Sequence, residues 1–509
     1  MAAFNKPHTS RIAERADAVQ NMEGDLAFSL NPYTRLMQMV FTCMYGTKKF
    51  YEKPDESEKA LLTAIEEVAK IDPKFLLQLA VYTREKMYLR SVSQVLAVEY
   101  ANLAPGQVPR ASAYINRVIG RVDDMTEMVA LQFMRNEFKP RESKLPMVLK
   151  RSINEIFESD RFDEYQLSKY DRDGVVKLKD LVCLTNPKPK NHIQNELFKR
   201  VLNRTLKTAE THEVMRSTGK MTWRETFYKI FLKGGRVNNY MALIKNLRNI
   251  ITSDEFTDTD VTALCNAITD EKAILQSKLF PFRFLVAHRE LQKCRSVLGI
   301  NRVLDSLSQA MIIASANVPR LAGRTLIVGD VSGSMRGTKI SALSDLDRMQ
   351  VAVLLGVLAG GFCDKSDLVL FATQLAHINV PSRPDPLGLA DELAREAHRL
   401  GGSTEAGYVV QYLQDDPHNY DRVIMFTDEE FWSWGIETGM FQKMFAEYRR
   451  RAPNCKLYLV NLVGYGSSAM PDKYPHTYQL AGWSDGMFKM INAIEGGSGA
   501  IEEIKKVEV

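Results

Sequence analysis

At 509 residues, with 45% apolar and 25% charged residues, the chain has a globular composition and is too long for one ordinary core, so two or three domains are expected. No run of about 18 apolar residues occurs, so no transmembrane helix is predicted; the opening Met1-Ala2-Ala3-Phe4-Asn5-Lys6 lacks an apolar signal-peptide core, and a cytoplasmic location is expected. The net charge of +5 hides an asymmetry: residues 1–320 carry 49 Lys and Arg against 38 Asp and Glu, and residues 321–509 carry 18 against 24.

A basic half joined to an acidic half suggests that the first half meets a polyanion; compositional drift would give the same imbalance. The six cysteines are scattered without a Cys-x-x-Cys pair, which fits reduced packing cysteines. The eight histidines show no zinc spacing.

From about residue 27 to 315 the pattern is helical nearly throughout. Ser57 can cap a helix that carries Leu61, Leu62, Ile65, Val68 and Ala69 on one face. Asp72-Pro73 opens the next, with Asp at the N-cap and Pro at the first helical position. Arg84, Lys86 and Arg90 end that helix and open its successor; cations at a helix C-terminus are favoured by the dipole alone. Further amphipathic segments follow at 91–103, 110–119, 124–137, 143–157, 194–208, 222–232, 238–250 and 260–276. Helix pairs of about 40 residues with no intervening strands suggest a HEAT-like or armadillo-like solenoid.

Two basic stretches stand out in this half. Residues 177–207 hold Lys177, Lys179, Lys188, Lys190, Lys199, Arg200, Arg204 and Lys207 against Asp180 and Glu196. Pro187 and Pro189 break helix, so Asn186 to His192 reads as a basic loop feeding a basic helix, attractive to backbone phosphates without sequence preference. On the helix of Met241 to Asn249, the apolar residues share one face, and Lys245, Arg248 and Asn246 turn toward another. A solvated basic face accounts for either stretch equally well from composition.

After about residue 320 strands alternate with helices. Strands are predicted at 324–329, 367–371, 421–427 and 456–463, and helices at 345–361, 386–399, 405–414, 438–451 and 485–495. Apolar β runs separated by helices imply a parallel sheet covered on both faces. The first strand runs into Asp330-Val331-Ser332-Gly333-Ser334, the third into Asp428, and Gly401-Gly402-Ser403-Thr404 lies between; Thr404 could cap a helix or serve as a hydroxyl ligand. Asp330, Ser332, Ser334, Thr404 and Asp428 would converge at the carboxyl edge of the sheet, where open α/β folds bind ligands. All five offer oxygen, which suits a hard divalent cation, and magnesium in particular because it keeps waters or a partner's carboxylate. Neither a P-loop nor a nucleophile elbow fits these residues, and Ser332 and Ser334 have no evident base. The alternative is a structural serine-rich turn.

The second half resembles the von Willebrand factor A domain with a metal-ion-dependent adhesion site. Asp330, Ser332 and Ser334 match its Asp-x-Ser-x-Ser element, Thr404 its threonine and Asp428 its later aspartate. With the helical basic half in front, the whole chain resembles the Ro ribonucleoprotein family, whose helical part is the TROVE module. Met241-Ala242-Leu243-Ile244-Lys245-Asn246-Leu247 is similar to that family's Ala-Leu-Leu-Arg-Asn-Leu stretch, Phe280-Pro281-Phe282-Arg283-Phe284-Leu285-Val286-Ala287 to its Pro-Phe helix, and Lys179-Asp180-Leu181-Val182 with Lys188-Pro189 to its RNA-contacting segment. Where the family has histidine before Lys-Pro, this chain has Asn186, which cannot become cationic; His192 aligns only with a shift.

The resemblance implies an all-α HEAT-like superhelical ring over 20–318, an α/β von Willebrand factor A domain over 322–495 and a C-terminal tail over 496–509. It also implies a non-enzymatic scaffold that binds small noncoding Y-like RNA and the single-stranded ends of misfolded RNA, in RNA quality control or processing. Arg84, Arg90, Lys177, Lys179, Asn186, Lys188, Lys190, His192, Lys245 and Arg248 are the expected RNA contacts, and Mg²⁺ the expected cofactor. The expected partners are RNA and, through the A domain, an exoribonuclease or other protein. No coiled-coil pattern indicates a homomer, so a monomeric protein within a ribonucleoprotein is expected. The alternatives are a metal-dependent protein-adhesion module without RNA and a metal-dependent RNA hydrolase.

Overall fold

The computed structural model describes residues 15–43, 54–136, 144–159, 161–171, 173–207, 215–216, 219–253, 256–279, 281–294, 296–315, 320–340, 346–379, 385–432, 439–472, 474–483 and 486–509. Phe280, and the expected helix ends at 137, 143, 208, 345, 438 and 485, lie outside these residues.

Two short strands come first, β1 (Ala18–Gln20) and β2 (Leu26–Ser29), then α1 (Pro32–Thr42). The expected helical pattern from residue 27 is therefore a strand at its start. It pairs antiparallel with β1, and Phe28 is fully buried.

Helices follow: α2 (Pro54–Ile71), α3 (Pro73–Glu85), α4 (Arg90–Leu103), α5 (Ala111–Val118), α6 (Val122–Arg135), α7 (Met147–Glu158), α8 (Glu164–Tyr170), α9 (Leu178–Thr185) and α10 (His192–Asn203). Asp72 caps α3 by accepting from the Phe75 N–H at 3.1 Å, with Pro73 at the first helical position, where a missing N–H costs nothing. Ser57 is not a cap; α2 starts at Pro54 and Ser57 lies inside it.

Next come α11 (Trp223–Thr226), which runs on into a π-helical turn at Phe227–Phe231, α12 (Tyr240–Ile251), α13 (Asp258–Ile268), α14 (Glu271–Ser277), α15 (Pro281–Gln292) and α16 (Ile300–Ser315). The single helix expected over 260–276 is two. Asp270 caps the second by accepting from the Ala273 N–H at 2.7 Å, and a new cap requires a break.

The α/β part comprises β3 (Leu321–Asp330), α17 (Arg348–Phe362), β4 (Cys363–Phe371), β5 (Leu375–Ile378), α18 (Pro386–Glu396), α19 (Gly407–Asp415), β6 (Arg422–Thr427), α20 (Met440–Arg451), β7 (Lys456–Asn461), β8 (Ser467–Ser468), β9 (Thr477–Ala481) and α21 (Gly486–Glu495); α22 (Ala500–Lys505) closes the chain. The main sheet has the order β5-β4-β3-β6-β7-β9, with all neighbours parallel except the edge strand β5. Ile327, Val328, Ile424, Met425, Leu459 and Val460 are buried on both faces, as a helix-covered parallel sheet requires. One face packs on Phe431, Phe441, Phe445 and Tyr448.

The chain divides into two compact units. One joins residues 1–59 to 222–498, so the helices α11 to α16 and the N-terminal strands belong with the sheet. Its small second sheet pairs β2 with β1 and β8, at Phe28 with Ser468 and Ser29 with Ser467. The other unit joins 60–221 to 499–509. Within it the C-terminus is anchored: Lys74 and Tyr114 bind the Glu508 carboxylate at 2.7 and 3.0 Å, and Gln78 donates to the Lys505 carbonyl at 2.8 Å.

Candidate functional site

β3 is the switch point of the sheet. The chain leaves it toward β4 on one side and later returns to β6 on the other, so the loops after β3 and β6 open beside one another. Asp330 ends β3 and Asp428 directly follows β6, with Gly329 in register with Phe426. Gly333 donates its N–H to the Gly402 carbonyl at 2.7 Å, which draws the Thr404 loop against the serine loop. A Cβ on Gly333 would sit 3.2 Å from that same oxygen, a tight contact that glycine avoids. The Trp432 N–H then ties the far side by donating to the Thr404 carbonyl at 3.1 Å. Thr404 does not cap a helix, because α19 begins at Gly407.

Asp330, Ser332, Ser334, Thr404 and Asp428 are all buried. Asp330 Oδ1 accepts from the Ser332 N–H at 2.9 Å and Oδ2 from Thr427 Oγ1 at 2.7 Å. The Ser332 and Ser334 hydroxyls are 3.3 Å apart. Asp428 Oδ1 accepts from the Glu430 N–H at 3.1 Å, while Oδ2 is buried with no hydrogen-bond partner among the described residues. Burial, and then the neighbouring charge of Asp428, raise Asp330 above the ordinary carboxylate range. Burial also raises Asp428, against the Ser334 hydroxyl and the Arg348 guanidinium, which favour its charged form.

Two adjacent buried carboxylates and an orphaned oxygen form an electrostatically unfinished site. Among the described residues no cluster of three or more His, Cys, Asp or Glu side chains could hold a metal, so hydroxyls would have to supply the remaining donors. Two carboxylates with three hydroxyls fit a hard divalent cation.

Several residues around this edge escaped the sequence reading. Thr427 orients Asp330. Glu429 is buried with φ +64°, and its carboxylate accepts from Ser468 Oγ (2.6 Å), the Ala469 N–H (3.0 Å), Asn461 Nδ2 (3.1 Å) and Gln38 Nε2 (3.3 Å). Glu430 is pushed up to about 8 by burial and then by Asp428, and accepts from the Met22 N–H at 2.6 Å. Asn21 Nδ2 donates to the Phe431 carbonyl at 2.7 Å. The N-terminal hairpin therefore clamps the loop that follows Asp428. The run of three acids at 428–430 was the available signal; their partners lie hundreds of residues away.

The expected RNA contacts fall into three places. Arg84 and Arg90 converge on Asp124, which is fully buried. Asp124 accepts from Arg84 Nη2 at 2.8 Å, from Arg90 Nε, from Gln94 Nε2 at 2.7 Å and from the Gly120 and Arg121 N–H groups at 2.8 Å. Both guanidiniums hold helices α3, α4 and α6 together, so their charge is already used inside the fold.

Lys177, Lys179, Asn186, Lys188, Lys190 and His192 lie together on the N-cap of α9, α9 itself, the following loop and the first residue of α10. Lys177 pairs with Asp173 at 2.9 Å. Asn186 ends α9 in the left-handed region, φ +52°, a conformation that asparagine tolerates. The loop backbone is held from below: the Lys188 N–H donates to Glu158 Oε1 (3.0 Å) and the Lys190 N–H to Gln194 Oε1 (2.6 Å). Asn186, Lys188, Lys190 and His192 are exposed.

Lys245 and Arg248 belong to the other unit and are exposed on α12. Arg248 pairs with Glu290 of α15 at 3.2 Å.

A switch-point Asp-x-Ser-x-Ser loop on a parallel sheet, behind paired helices, defines a HEAT-like helical protein with a von Willebrand factor A-type α/β domain. The TROVE domain model matches residues 31–230 and 232–323, and the chain belongs to that family. It is 22% identical over 501 residues to the RNA-binding protein RO60 of Deinococcus radiodurans, covering 90% of this chain and 91% of that one. It is also 22% identical over 350 residues to the telomerase protein component 1 of Mus musculus, covering 52% of this chain and 13% of that protein. The crystal structure of the Deinococcus radiodurans RO (RSR) protein shares the fold with a TM-score of 0.59 at 17% identity, over 90% of this chain and 99% of that one.

Proposed function

We propose that this protein is an RNA-binding ribonucleoprotein scaffold with no chemical step of its own. The observation that carries this reading is the exposed basic loop from Asn186 to His192. Its backbone is fixed from beneath by Glu158 and Gln194, so Lys188, Lys190 and His192 project outward at little further ordering cost. That arrangement suits phosphate groups, and its membership of a family whose relatives include a protein named for RNA binding supports the assignment. The RNA we propose is small, structured and Y-like, with single-stranded ends of misfolded RNA as a second class. Asn186 cannot supply a cationic contact, so the loop grips by its lysines.

At the sheet edge we propose that Asp330, Ser332, Ser334, Thr404 and Asp428 bind Mg²⁺. Bound there, the ion would supply a coordination position for a carboxylate of a protein partner such as an exoribonuclease. The unpartnered Asp428 Oδ2 supports this reading.

The test is ultraviolet crosslinking in the native host, followed by sequencing of the attached RNA and mapping of the crosslinked peptides. A discrete small RNA attached within residues 177–207 is the expected result. Recovery of no RNA above an untagged control would overturn the reading and leave a metal-dependent adhesion module as the better account.

A further inference from the structure

The loop that follows β6 touches two of the candidate ligands at once. At its start the Glu430 N–H donates to Asp428 Oδ1 at 3.1 Å, and at its end the Trp432 N–H donates to the Thr404 carbonyl at 3.1 Å. Whatever sets the path of residues 429–431 therefore sets the positions of Asp428 and Thr404 together.

That path is held from outside the loop. Glu429 stands at φ +64°, in the left-handed region, where a residue with a Cβ carries strain. Gln38 of α1 supplies one of the bonds that keep it there, at 3.3 Å. Ser468 of β8 supplies another at 2.6 Å, and β8 is itself paired with β2 at Phe28. The next two residues are held by the turn between β1 and β2. The Met22 N–H donates to Glu430 Oε2 at 2.6 Å, and Asn21 Nδ2 to the Phe431 carbonyl at 2.7 Å. A further tie, from the Gly439 N–H to Asp25 Oδ1 at 2.9 Å, joins the same turn to the start of α20. Asn21 works in two directions. Its Nδ2 reaches the loop, while its Oδ1 accepts from the Asp25 N–H at 2.8 Å and closes the turn. Asn21 and Asp25 are buried, whereas Met22, Glu23 and Gly24 between them are exposed.

A strained loop whose restraints sit on a separate hairpin has a second arrangement available to it, reached when the hairpin lifts. In the docked arrangement Asp428 Oδ1 is occupied by the Glu430 N–H, and Oδ2 has no hydrogen-bond partner among the described residues. With the hairpin lifted, residues 429–431 would leave the left-handed path, and Asp428 and Thr404 would lose their fixed separation. A cation would then bind the docked arrangement more tightly, and that difference in affinity is what it returns to the hairpin.

We infer that Asn21 and Met22 are positioning residues for the cation site, and that the β1–β2 hairpin is a strap whose docking and cation binding reinforce one another. The inference rests on the proposed Mg²⁺ site and adds its regulation: lifting the hairpin weakens the hold on the metal, and with it the hold on any carboxylate the metal coordinates.

The experiment titrates the full chain with Mg²⁺ by calorimetry, with Asp330→Asn as the blank for binding elsewhere. In Asn21→Asp the side chain still accepts the Asp25 N–H but has no N–H to give the Phe431 carbonyl. It also gains a negative charge, which by itself favours a cation. Its Mg²⁺ affinity should nonetheless fall by about fivefold or more, the lower end of ordinary coupling between sites. Asp270→Ala removes the cap of α14 in the same unit and leaves the hairpin ties intact; it should lower the melting temperature and keep wild-type Mg²⁺ affinity. Because coupling is reciprocal, Mg²⁺ should slow hydrogen exchange at residues 18–29 in the wild type and leave it unchanged in Asp330→Asn. Wild-type Mg²⁺ affinity in Asn21→Asp, or an equal loss in Asp270→Ala, would overturn the inference and leave the metal site standing. A wild-type chain that takes up no Mg²⁺ would overturn the proposed site and the inference with it.

Discussion

Asp124 and Asp260 are buried acids that each hold arginine inside the fold. Asp124 gathers Arg84 and Arg90, so removing it leaves two half-buried guanidiniums facing each other. Asp124→Ala should destabilise its unit by about 3–5 kcal/mol in urea unfolding, the usual cost of breaking a buried ion pair. Arg84→Ala should lower stability while leaving RNA affinity unchanged; a selective loss of RNA affinity with wild-type stability would return Arg84 to the interface. Nothing near Arg84 in the chain signals this, because Asp124 lies 40 residues on. Asp260 is raised by desolvation but pulled further down by donors from Arg224, Tyr228 and Thr257, so its folded pKa lies below the ordinary carboxylate value. A depressed folded pKa gives stability that is present above the unfolded value, about 3.9, and lost as pH falls through the folded one. The acid limb of a stability–pH curve should therefore flatten in Asp260→Asn, and an unchanged limb would show that the acid sensitivity lies elsewhere. At the proposed Mg²⁺ site on the sheet edge, Mg²⁺ should raise the melting temperature of the wild type, and Asp330→Asn should abolish that rise. A ligand at about a hundred times its Kd contributes about 2.7 kcal/mol, well within reach of calorimetry. Persistence of the Mg²⁺ shift in Asp330→Asn would place the ion at another site.

Among the elements, those that bury a continuous apolar run were legible and those defined by a distant partner were not. β3, β4, β6 and β7 match the predicted strands closely, because Leu326 to Val328 and Val423 to Phe426 are apolar on both faces. The edge strand β5 holds no such run, with Leu375, Ala376 and Ile378 only half-buried, and β9 is interrupted by Tyr478 and Gln479. β1 and β2 escaped for a different reason: their anchor points lie at Phe431, Gly439 and Ser468, over 400 residues away. The five candidate metal ligands were legible because each sits beside a strand or glycine signal. The clamp around them was not. Asn21 holds the Phe431 carbonyl and also accepts from the Asp25 N–H at 2.8 Å, so Asn21→Ala should cost about 1–3 kcal/mol through buried groups left unpaired. Because Glu429 occupies a left-handed conformation that only its partners sustain, hydrogen exchange at Glu429 to Trp432 should quicken in this variant. Unaltered exchange there would show that the β6 loop holds its shape without the hairpin.

Over the whole chain, composition and packing draw different lines. The change from basic helices to an acidic α/β pattern falls near residue 320, whereas the packing divides at 59, 221 and 498. Composition follows element type and the charge of exposed faces; packing follows apolar contacts and buried pairs such as Arg289 with Asp391, which no local pattern reports. The excess of cations in residues 1–320 therefore overstates the charge available to RNA. Arg84 and Arg90 are spent on Asp124, and Arg224 on Asp260, while Lys188 and Lys190 remain exposed. The salt dependence of binding separates the two kinds of cation. Each phosphate neutralised adds about 0.7 to the slope of log affinity against log salt for single strands and about 0.9 for duplex. Lys188→Ala and Lys190→Ala should each lower that slope by about 0.7–1, and Arg84→Ala should leave it unchanged even where stability falls. Titration of one labelled RNA against the three variants, at several salt concentrations, reads this directly. Equal slopes for Lys188→Ala and the wild type would mean that the loop does not touch phosphate. A lowered slope for Arg84→Ala would mean that the Asp124 cluster opens when RNA binds.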